Sequence, residues 1–355
     1  MHRGAALAAV LATVYYYFRE LHVGTRGQVP LLSLGRAYGF QHDAVPDLRG
    51  KVYVVTGANS GLGRATAKRL ALNGATVVMG CRSEGRGKAA AAEVTEEIRA
   101  GAREDRVIGT LRFLRLDLSS FASIRAFAAE FSRTFNGKLD GLINNAGVMS
   151  IPERRLSEDG IELHFAVNHV GHALLTELLL PSLRKAGRGA RVVVVSSTSQ
   201  HLSSTVPTTL HDINDAKTYS PYRAYSRSKL SNTLFAKELA RRLEGEGIFV
   251  NCLDPGGVGS NILGNTFESW GLPKGFAEAF YTGLGATHLL VWNADTAALT
   301  PLYLATSPEI EAQGIHGQYF LPIAERWPTH HPGAEDEALG KRLWEFTVGL
   351  YGKQL

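Results

Sequence analysis

Two cysteines in a chain of 355 residues cannot build a disulfide framework. Cys81 and Cys252 each sit in an apolar, strand-like run, where a buried reduced thiol is the natural state. No Cys-x-x-Cys pair occurs, which removes the usual structural zinc sites. The sequence also lacks an Asn-x-Ser/Thr sequon, in keeping with a domain that faces the cytosol. Neither an internal repeat nor a low-complexity tract is present, and with 45% hydrophobic and 20% charged residues wholesale disorder and coiled coil are excluded. Charge of one sign is scarce: 38 basic against 33 acidic residues leave a net +5, too little to demand a nucleic-acid partner. The denser basic stretches, Arg184 to Arg191 and Arg241-Arg242, are interleaved with helix formers and glycines and read as solvated faces.

A membrane span of ordinary length is missing at the N-terminus. The uncharged run 4–18 reaches about 22 Å at 1.5 Å per residue, short of the roughly 30 Å hydrocarbon core. Three explanations compete for it. A cleaved signal peptide needs a small-x-small site where this chain has Tyr15, Tyr16, Tyr17 and Phe18; a buried helix needs a partner; an anchor dipping into a membrane suits the aromatics best. The expected layout is therefore an anchor over 1–20, a connector over 21–49 containing Pro30 and Pro46, a main folded domain over 50–325 and a C-terminal extension over 326–355. An endoplasmic-reticulum membrane with the domain on the cytosolic side is the expected location.

From Lys51 onward β-branched runs alternate with alanine- and leucine-rich stretches of helical period. Strands are predicted over 52–55, 76–79, 111–116, 141–143, 192–195, 249–253 and 318–321, with helices over 64–73, 85–99, 123–135, 161–185 and 225–243. Such alternation predicts an α/β fold: a single-domain, Rossmann-type doubly wound parallel sheet with helices on both faces, preceded by the short apolar helix. The first strand runs into Thr56-Gly57-Ala58-Asn59-Ser60-Gly61-Leu62-Gly63. Glycines there let the backbone turn tightly and approach a pyrophosphate, while the next helix points its free N–H groups at the anion. The spacing is Gly-x-x-x-Gly-x-Gly rather than Gly-x-Gly-x-x-Gly.

Together with Asn144-Asn145-Ala146-Gly147, Ser196-Ser197, Tyr225-Ser226-Arg227-Ser228-Lys229 and Pro255-Gly256, that loop makes the chain resemble the short-chain dehydrogenases/reductases over roughly residues 50–325. The stretches Phe165 to His172 and Ser228 to Asn232 are similar to the branch of retinol dehydrogenases and polyprenol-type relatives. The resemblance implies a nicotinamide dinucleotide held by Gly57, Asn59, Ser60, Gly61, Leu62, Gly63, Asn144, Ala146, Gly147, Pro255 and Gly256. It also implies Tyr225 as proton donor or acceptor for the substrate oxygen, Lys229 on the nicotinamide ribose, Ser197 on the substrate oxygen with Ser196 and Ser199 as rivals, and Asn168 ordering water toward the lysine.

The residues support the same chemistry independently. Tyr225 and Lys229 are one helical turn apart and share a face, so an ammonium beside the phenol should favour phenolate and lower a pKa that starts at about 10. An NAD-selective site carries an acid after the second strand, and this chain has Cys81-Arg82 instead; a guanidinium there can grip a 2′-phosphate, which predicts NADP(H), with Asp117 and Leu118 nearer the adenine edge. His164, His169 and His172 do not share one helical face and no carboxylate cluster joins them, so no metal is expected.

The chain departs from its likeness in two places. The insert 200–221 reads as an ordered excursion bordering the substrate mouth, and Gly257-Val258-Gly259-Ser260 follows Pro255-Gly256 where a valine-rich continuation is frequent. The aromatic residues Phe267, Trp270, Phe276, Phe280, Tyr281 and Trp292 suggest an apolar pocket or membrane-touching lid. The expectation is an oxidoreductase interconverting a lipophilic alcohol and its aldehyde or ketone (retinoid, polyprenoid, fatty aldehyde or sterol). Its partners would be that substrate, a membrane through residues 4–18 and a second copy in a homodimer. The alternatives are a soluble carbonyl or polyol reductase, or a catalytically silent dinucleotide-binding regulator.

Overall fold

The computed structural model describes residues 39–101, 107–258, 292–327 and 331–352. Among the described residues eight strands form one sheet: β1 Val52–Thr56, β2 Thr76–Cys81, β3 Thr110–Arg115, β4 Gly141–Asn144, β5 Ala190–Val195, β6 Ile248–Leu253, β7 Tyr319–Leu321 and β8 Glu325–Arg326, in the spatial order β3-β2-β1-β4-β5-β6-β7-β8. All neighbouring pairs are parallel except β7 and β8. The longer helices are α1 Gly61–Leu72, α2 Glu84–Gly101, α3 Phe121–Thr134, α4 Gly171–Ala186, α5 Pro221–Arg242, α6 Leu299–Thr306 and α7 Glu337–Tyr351.

Successive side chains of a strand face opposite ways, and β5 shows why the sheet is covered twice. Its Val192 and Val194 pack with residues of α3, α4, α5 and α7, while Val193 and Val195 pack with residues of α1, α2 and α6. Each such valine contributes roughly 1.5–3 kcal/mol on burial, so a strand apolar on both faces is stable only between two helical layers. The strand order reverses between β1 and β4, the place where a doubly wound sheet leaves room for a ligand outside its carboxyl ends.

All seven predicted strands are present, and the doubly wound architecture stands. Three features differ from expectation. The sheet closes with the short antiparallel β8, whose two residues are too few to carry a period. The predicted helix over 161–185 is present as a continuous helical run from Leu163 to Ala186, but it carries a π-helical turn at Ala166–Val170 between Leu163–Phe165 and α4, where Gly171 donates its N–H to Ala166 O and brings its backbone so close to Leu118 O that a Cβ would lie 2.4 Å away. The C-terminal extension contains α7, whose Leu343, Val348 and Tyr351 are buried in the α3–α5 layer. The last part of the connector is likewise packed: Phe40, Val45 and Leu48 are buried against the α1 layer, and Leu48 N donates to Asn73 O at 2.7 Å. The expected anchor over 4–18 and the lid aromatics Phe267 to Tyr281 lie outside the described residues. Among the described residues no helix is long and apolar enough to cross a membrane.

Candidate active site

The loops leaving β1, β4, β5 and β6 meet at the carboxyl edge of the sheet, and α5 runs past them. Tyr225 and Lys229 lie on one face of α5, and the Lys229 Nζ stands 5.6 Å from the centroid of the Tyr225 ring. Lys229 is buried and donates from Nζ to Val195 O at 3.0 Å. Burial, opposed by the negative charge of Asp254, brings its pKa down to about 8. The expected lowering of the Tyr225 pKa is absent here. Burial of the ring holds the phenol above its ordinary value, a hydrogen bond with Ser197 works against this, and Asp254 adds to it. The physical reason lies in the geometry: the ammonium sits toward the ring and bonds a backbone carbonyl, so it gives the phenolate little direct support.

The two serines ending β5 divide their roles. Ser196 is buried and its Oγ is committed to Lys229 O at 2.7 Å and Thr233 Oγ1 at 2.9 Å. Ser197 is half-buried, accepts from Ser199 N at 3.1 Å and neighbours the Tyr225 hydroxyl. Ser197 is thus the hydroxyl beside the phenol, and Ser199 lies one contact farther out, 3.2 Å from it.

Asn168 sits inside the π turn. Its Oδ1 accepts from Val148 N at 2.8 Å, and its Nδ2 donates to Val148 O at 3.0 Å and to Ser228 Oγ at 2.9 Å. A Cβ built on Gly147 would lie 3.4 Å from Asn168 Oδ1 and 3.7 Å from Lys229 Nζ, so the bare glycine separates the amide from the ammonium. π-helical turns of this kind gather at functional sites because they re-aim one side chain without ending the helix.

The glycine loop fits a dinucleotide on three observations. Gly57 and Gly61 take φ of 66° and 52°, a region that costs other residues. A Cβ on Gly63 would lie 2.5 Å from Asn145 Nδ2 and 2.7 Å from Gly57 O, so only glycine lets α1 start against both loops. Ser60 makes no side-chain cap hydrogen bond to α1, and the first-turn N–H groups remain suited to an anion. Asn59, Ser60 and Leu62 line this turn. Arg82 is exposed at the end of β2 and forms no ion pair among the described residues. Asp117 is held by its own loop, accepting from Ser119 N at 3.0 Å and Ser119 Oγ at 2.6 Å, next to the buried Leu118. Ala146 borders Gly57, while the Asn144 side chain turns away and donates to Thr176 Oγ1 at 2.9 Å. Pro255 and Gly256 follow β6, and Gly256, with φ 73°, lies against Trp292. Trp292, the described member of the predicted lid, is a core residue.

One feature was not singled out from sequence. Asp254, 2% exposed, accepts from Gly256 N at 3.0 Å through Oδ1, while its Oδ2 finds no aligned partner. Burial pushes its carboxyl up to about 6, against the hydrogen bonds from Gly256 and Thr198. The only sequence signal is an acid ending an otherwise apolar strand. The three histidines are each tied to protein groups: His164 Nδ1 to Glu162 Oε1 at 2.7 Å, His169 Nε2 to Thr347 Oγ1 at 2.8 Å, and His172 to Thr56 Oγ1 at 2.9 Å and Asn168 O at 3.0 Å. The insert is ordered, as expected: Tyr219 Oη donates to Ile151 O at 2.7 Å, Asn214 Nδ2 donates to Gly160 O at 2.7 Å, and Asp212 pairs with Arg227 of α5.

Residues 51–208 match a sequence profile described as short chain dehydrogenase. The chain is 40% identical to retinol dehydrogenase 14 of Homo sapiens over 98% of its own length and 97% of that protein's. It is 39% identical to polyprenol dehydrogenase of Mus musculus, over 88% of this chain and 87% of the relative. The crystal structure of an uncharacterized protein from Mycobacterium paratuberculosis superposes with a TM-score of 0.65 at 33% identity, covering 88% of this chain and 97% of that one.

Proposed function

The chain belongs to the short-chain dehydrogenase/reductase family, and from that premise we propose that it is an NADP(H)-dependent oxidoreductase interconverting a lipophilic alcohol and its aldehyde or ketone. The observation that carries the reading is the convergence of Tyr225, Ser197, Lys229 and Asn168 at the mouth of a dinucleotide crevice. The family uses a nicotinamide dinucleotide, which when bound supplies the hydride acceptor or donor and, oxidised, a positive charge. The lipophilic substrate class rests on the likeness to the retinol and polyprenol dehydrogenases.

In the direction of carbonyl reduction, Ser197 holds the substrate oxygen by donating its hydroxyl, and Tyr225 gives its phenolic proton to that oxygen as negative charge develops. In alcohol oxidation both moves reverse. Raised by burial, the phenol starts as a competent donor; Lys229, near neutrality at about 8, can lend charge or a proton to the tyrosine after transfer. Asn168 keeps the β4 loop at a fixed distance from Lys229 through its paired bonds to Val148. Residues Gly57, Asn59, Ser60, Gly61, Leu62, Gly63, Ala146, Gly147, Pro255 and Gly256 would hold the dinucleotide, with Asn144 supporting the loop from behind and Asp117 and Leu118 at the adenine side.

Arg82 supports NADP(H) over NAD(H): it is exposed, no carboxylate occupies the preceding Cys81 position, and a guanidinium binds a phosphate in bidentate fashion. Arg82→Glu should weaken NADPH binding at least about tenfold and shift preference toward NADH, since one charge-assisted bidentate contact of roughly 1.5–3 kcal/mol is replaced by repulsion. Titrating both nucleotides against wild type and variant checks this, and a wild type that prefers NADH would overturn the assignment. Screening retinal, a polyprenal, decanal and a ketosteroid against a sugar aldehyde, while following NADPH consumption, tests the substrate class. Exclusive turnover of the sugar would replace the proposal with a polyol reductase. Attachment to a membrane of the endoplasmic reticulum through residues 4–18 completes the reading.

A further inference from the structure

Thr56, the last residue of β1, is fully buried, and its hydroxyl is more crowded than a strand terminus needs. Its Oγ1 accepts from both Asn145 N and Ala146 N at 2.8 Å, which uses both lone pairs. The one hydroxyl proton has two acceptors in reach: Ile143 O at 3.4 Å and His172 Nε2 at 2.9 Å. His172 settles the choice. Its Nδ1 lies 3.0 Å from Asn168 O, a carbonyl that can only accept, so Nδ1 carries the hydrogen. Burial keeps the ring neutral, so Nε2 is an acceptor and the Thr56 proton goes to it. The result is one directed chain: Asn145 and Ala146 amides to Thr56, Thr56 to His172, His172 to the Asn168 carbonyl. From the Asn168 side chain it continues through Ser228 Oγ, which donates to Tyr225 O at 2.7 Å.

We propose that His172 is a positioning residue for the reaction, whose ring clamps the Asn168 turn to Thr56 and so holds the β4 loop in register with Tyr225 and Lys229 on α5. This rests on the oxidoreductase reading above. The β4 loop is where the dinucleotide is expected to lie, and Asn168 is the amide facing Lys229 across Gly147; a ring bonded to Thr56, which holds the amides of that loop, and to the Asn168 carbonyl sets their spacing. Neither Thr56 nor His172 needs to touch substrate or cofactor for this.

The test compares His172→Leu, Thr56→Val, the double variant and Thr56→Ser, which keeps the hydroxyl. Two readouts are taken on folded protein: kcat for the aldehyde that wild type reduces with NADPH, and amide hydrogen exchange of Asn145 and Ala146 in the ligand-free chain. The inference expects His172→Leu and Thr56→Val each to lower kcat about tenfold or more with aldehyde KM within about threefold, and to raise exchange at both amides about tenfold. The double variant should be no worse than the worse single one, because both break one chain, and Thr56→Ser should keep most of kcat and of the protection. Unchanged kcat and exchange in the single variants, or losses that multiply in the double one, would overturn it. Should His172→Leu fail to fold, Thr56→Val against Thr56→Ser decides by the same two readouts, and a ¹⁵N spectrum of wild type showing the hydrogen of His172 on Nε2 overturns the clamp outright. A wild type that reduces no aldehyde defeats the oxidoreductase reading instead, while the exchange experiment still judges the clamp.

Discussion

Asp254 illustrates how a single side chain sets conditions for its neighbours. A carboxyl whose folded pKa is raised from 3.8 to about 6 holds its proton longer in the native state than in the unfolded chain. Below about pH 4 both states are protonated and the group contributes nothing. Between about pH 4 and 6 the unfolded chain releases its proton first, so native stability falls as pH rises, and above pH 6 the full penalty remains. Asp254→Asn keeps an acceptor for Gly256 N and removes the ionisation. Its stability relative to wild type, followed by thermal melts, should be lower or equal at pH 4 and should rise to a plateau above pH 6, a swing on the order of 2–3 kcal/mol. A difference that stays flat between pH 4 and 7 would contradict the buried charge. At this scale the sequence was partly legible. Tyr225, Lys229 and Asn168 stood out by spacing and by resemblance, and they do converge. Asp254 did not, and His172 stood out only as a metal ligand to be dismissed, because their significance lies in burial and in partners far along the chain, which no local pattern carries. The phenol pKa departs from the sequence expectation for the same reason: helical spacing places a lysine near a tyrosine but does not fix on which side of its ring.

Among elements, the start of α1 is tightly specified. Gly63 sits where a Cβ would meet Gly57 O at 2.7 Å and the Asn145 amide at 2.5 Å, and Gly57 O is backbone that cannot swing aside. Gly63→Ala should therefore cost roughly 1–3 kcal/mol of stability, the usual range for overpacking, and weaken dinucleotide affinity about tenfold or more by shifting the β1 and β4 loops apart. Thermal melts and nucleotide titration check both; a variant of wild-type affinity would mean that the cradle is not the binding surface. Strands β1 to β7 and most helices were readable because β-branched runs and helical periods are long enough to register. The π turn at Ala166–Val170 was not, since it is imposed by the close approach of Gly171 to Leu118. Helix α7 also escaped notice, although Trp344 stacks on Phe235 with centroids 5.6 Å apart and lies under Arg242: a helix at the end of a chain is recognised by what it covers.

For the whole molecule, the residues assigned to catalysis begin at Gly57, and the apolar run 4–18 precedes the packed segment that starts near Phe40. Anchoring and chemistry should separate. If the proposed anchor holds, removing residues 1–20 should release the protein from membranes while leaving turnover of a detergent-dispersed aldehyde within about threefold, whereas turnover of the same aldehyde embedded in vesicles should fall, because an apolar run ending in aromatics would supply most of the partition energy. Fractionation and paired assays decide the matter; a full-length chain that is wholly soluble, or a truncated one that no longer binds nucleotide, would show that the segment belongs to the fold.

The central proposal is that Tyr225 gives or takes the proton of the substrate oxygen at this site, where a bound nicotinamide ring would supply or accept the hydride. Tyr225→Phe keeps the buried ring and removes only the transferable proton, so the most direct measurement pairs kcat with NADPH affinity in wild type and variant. The account predicts a loss of kcat of at least about a hundredfold, the scale of general acid catalysis, with the NADPH dissociation constant within about threefold. A Tyr225→Phe variant that turns over at a near-normal rate would contradict it.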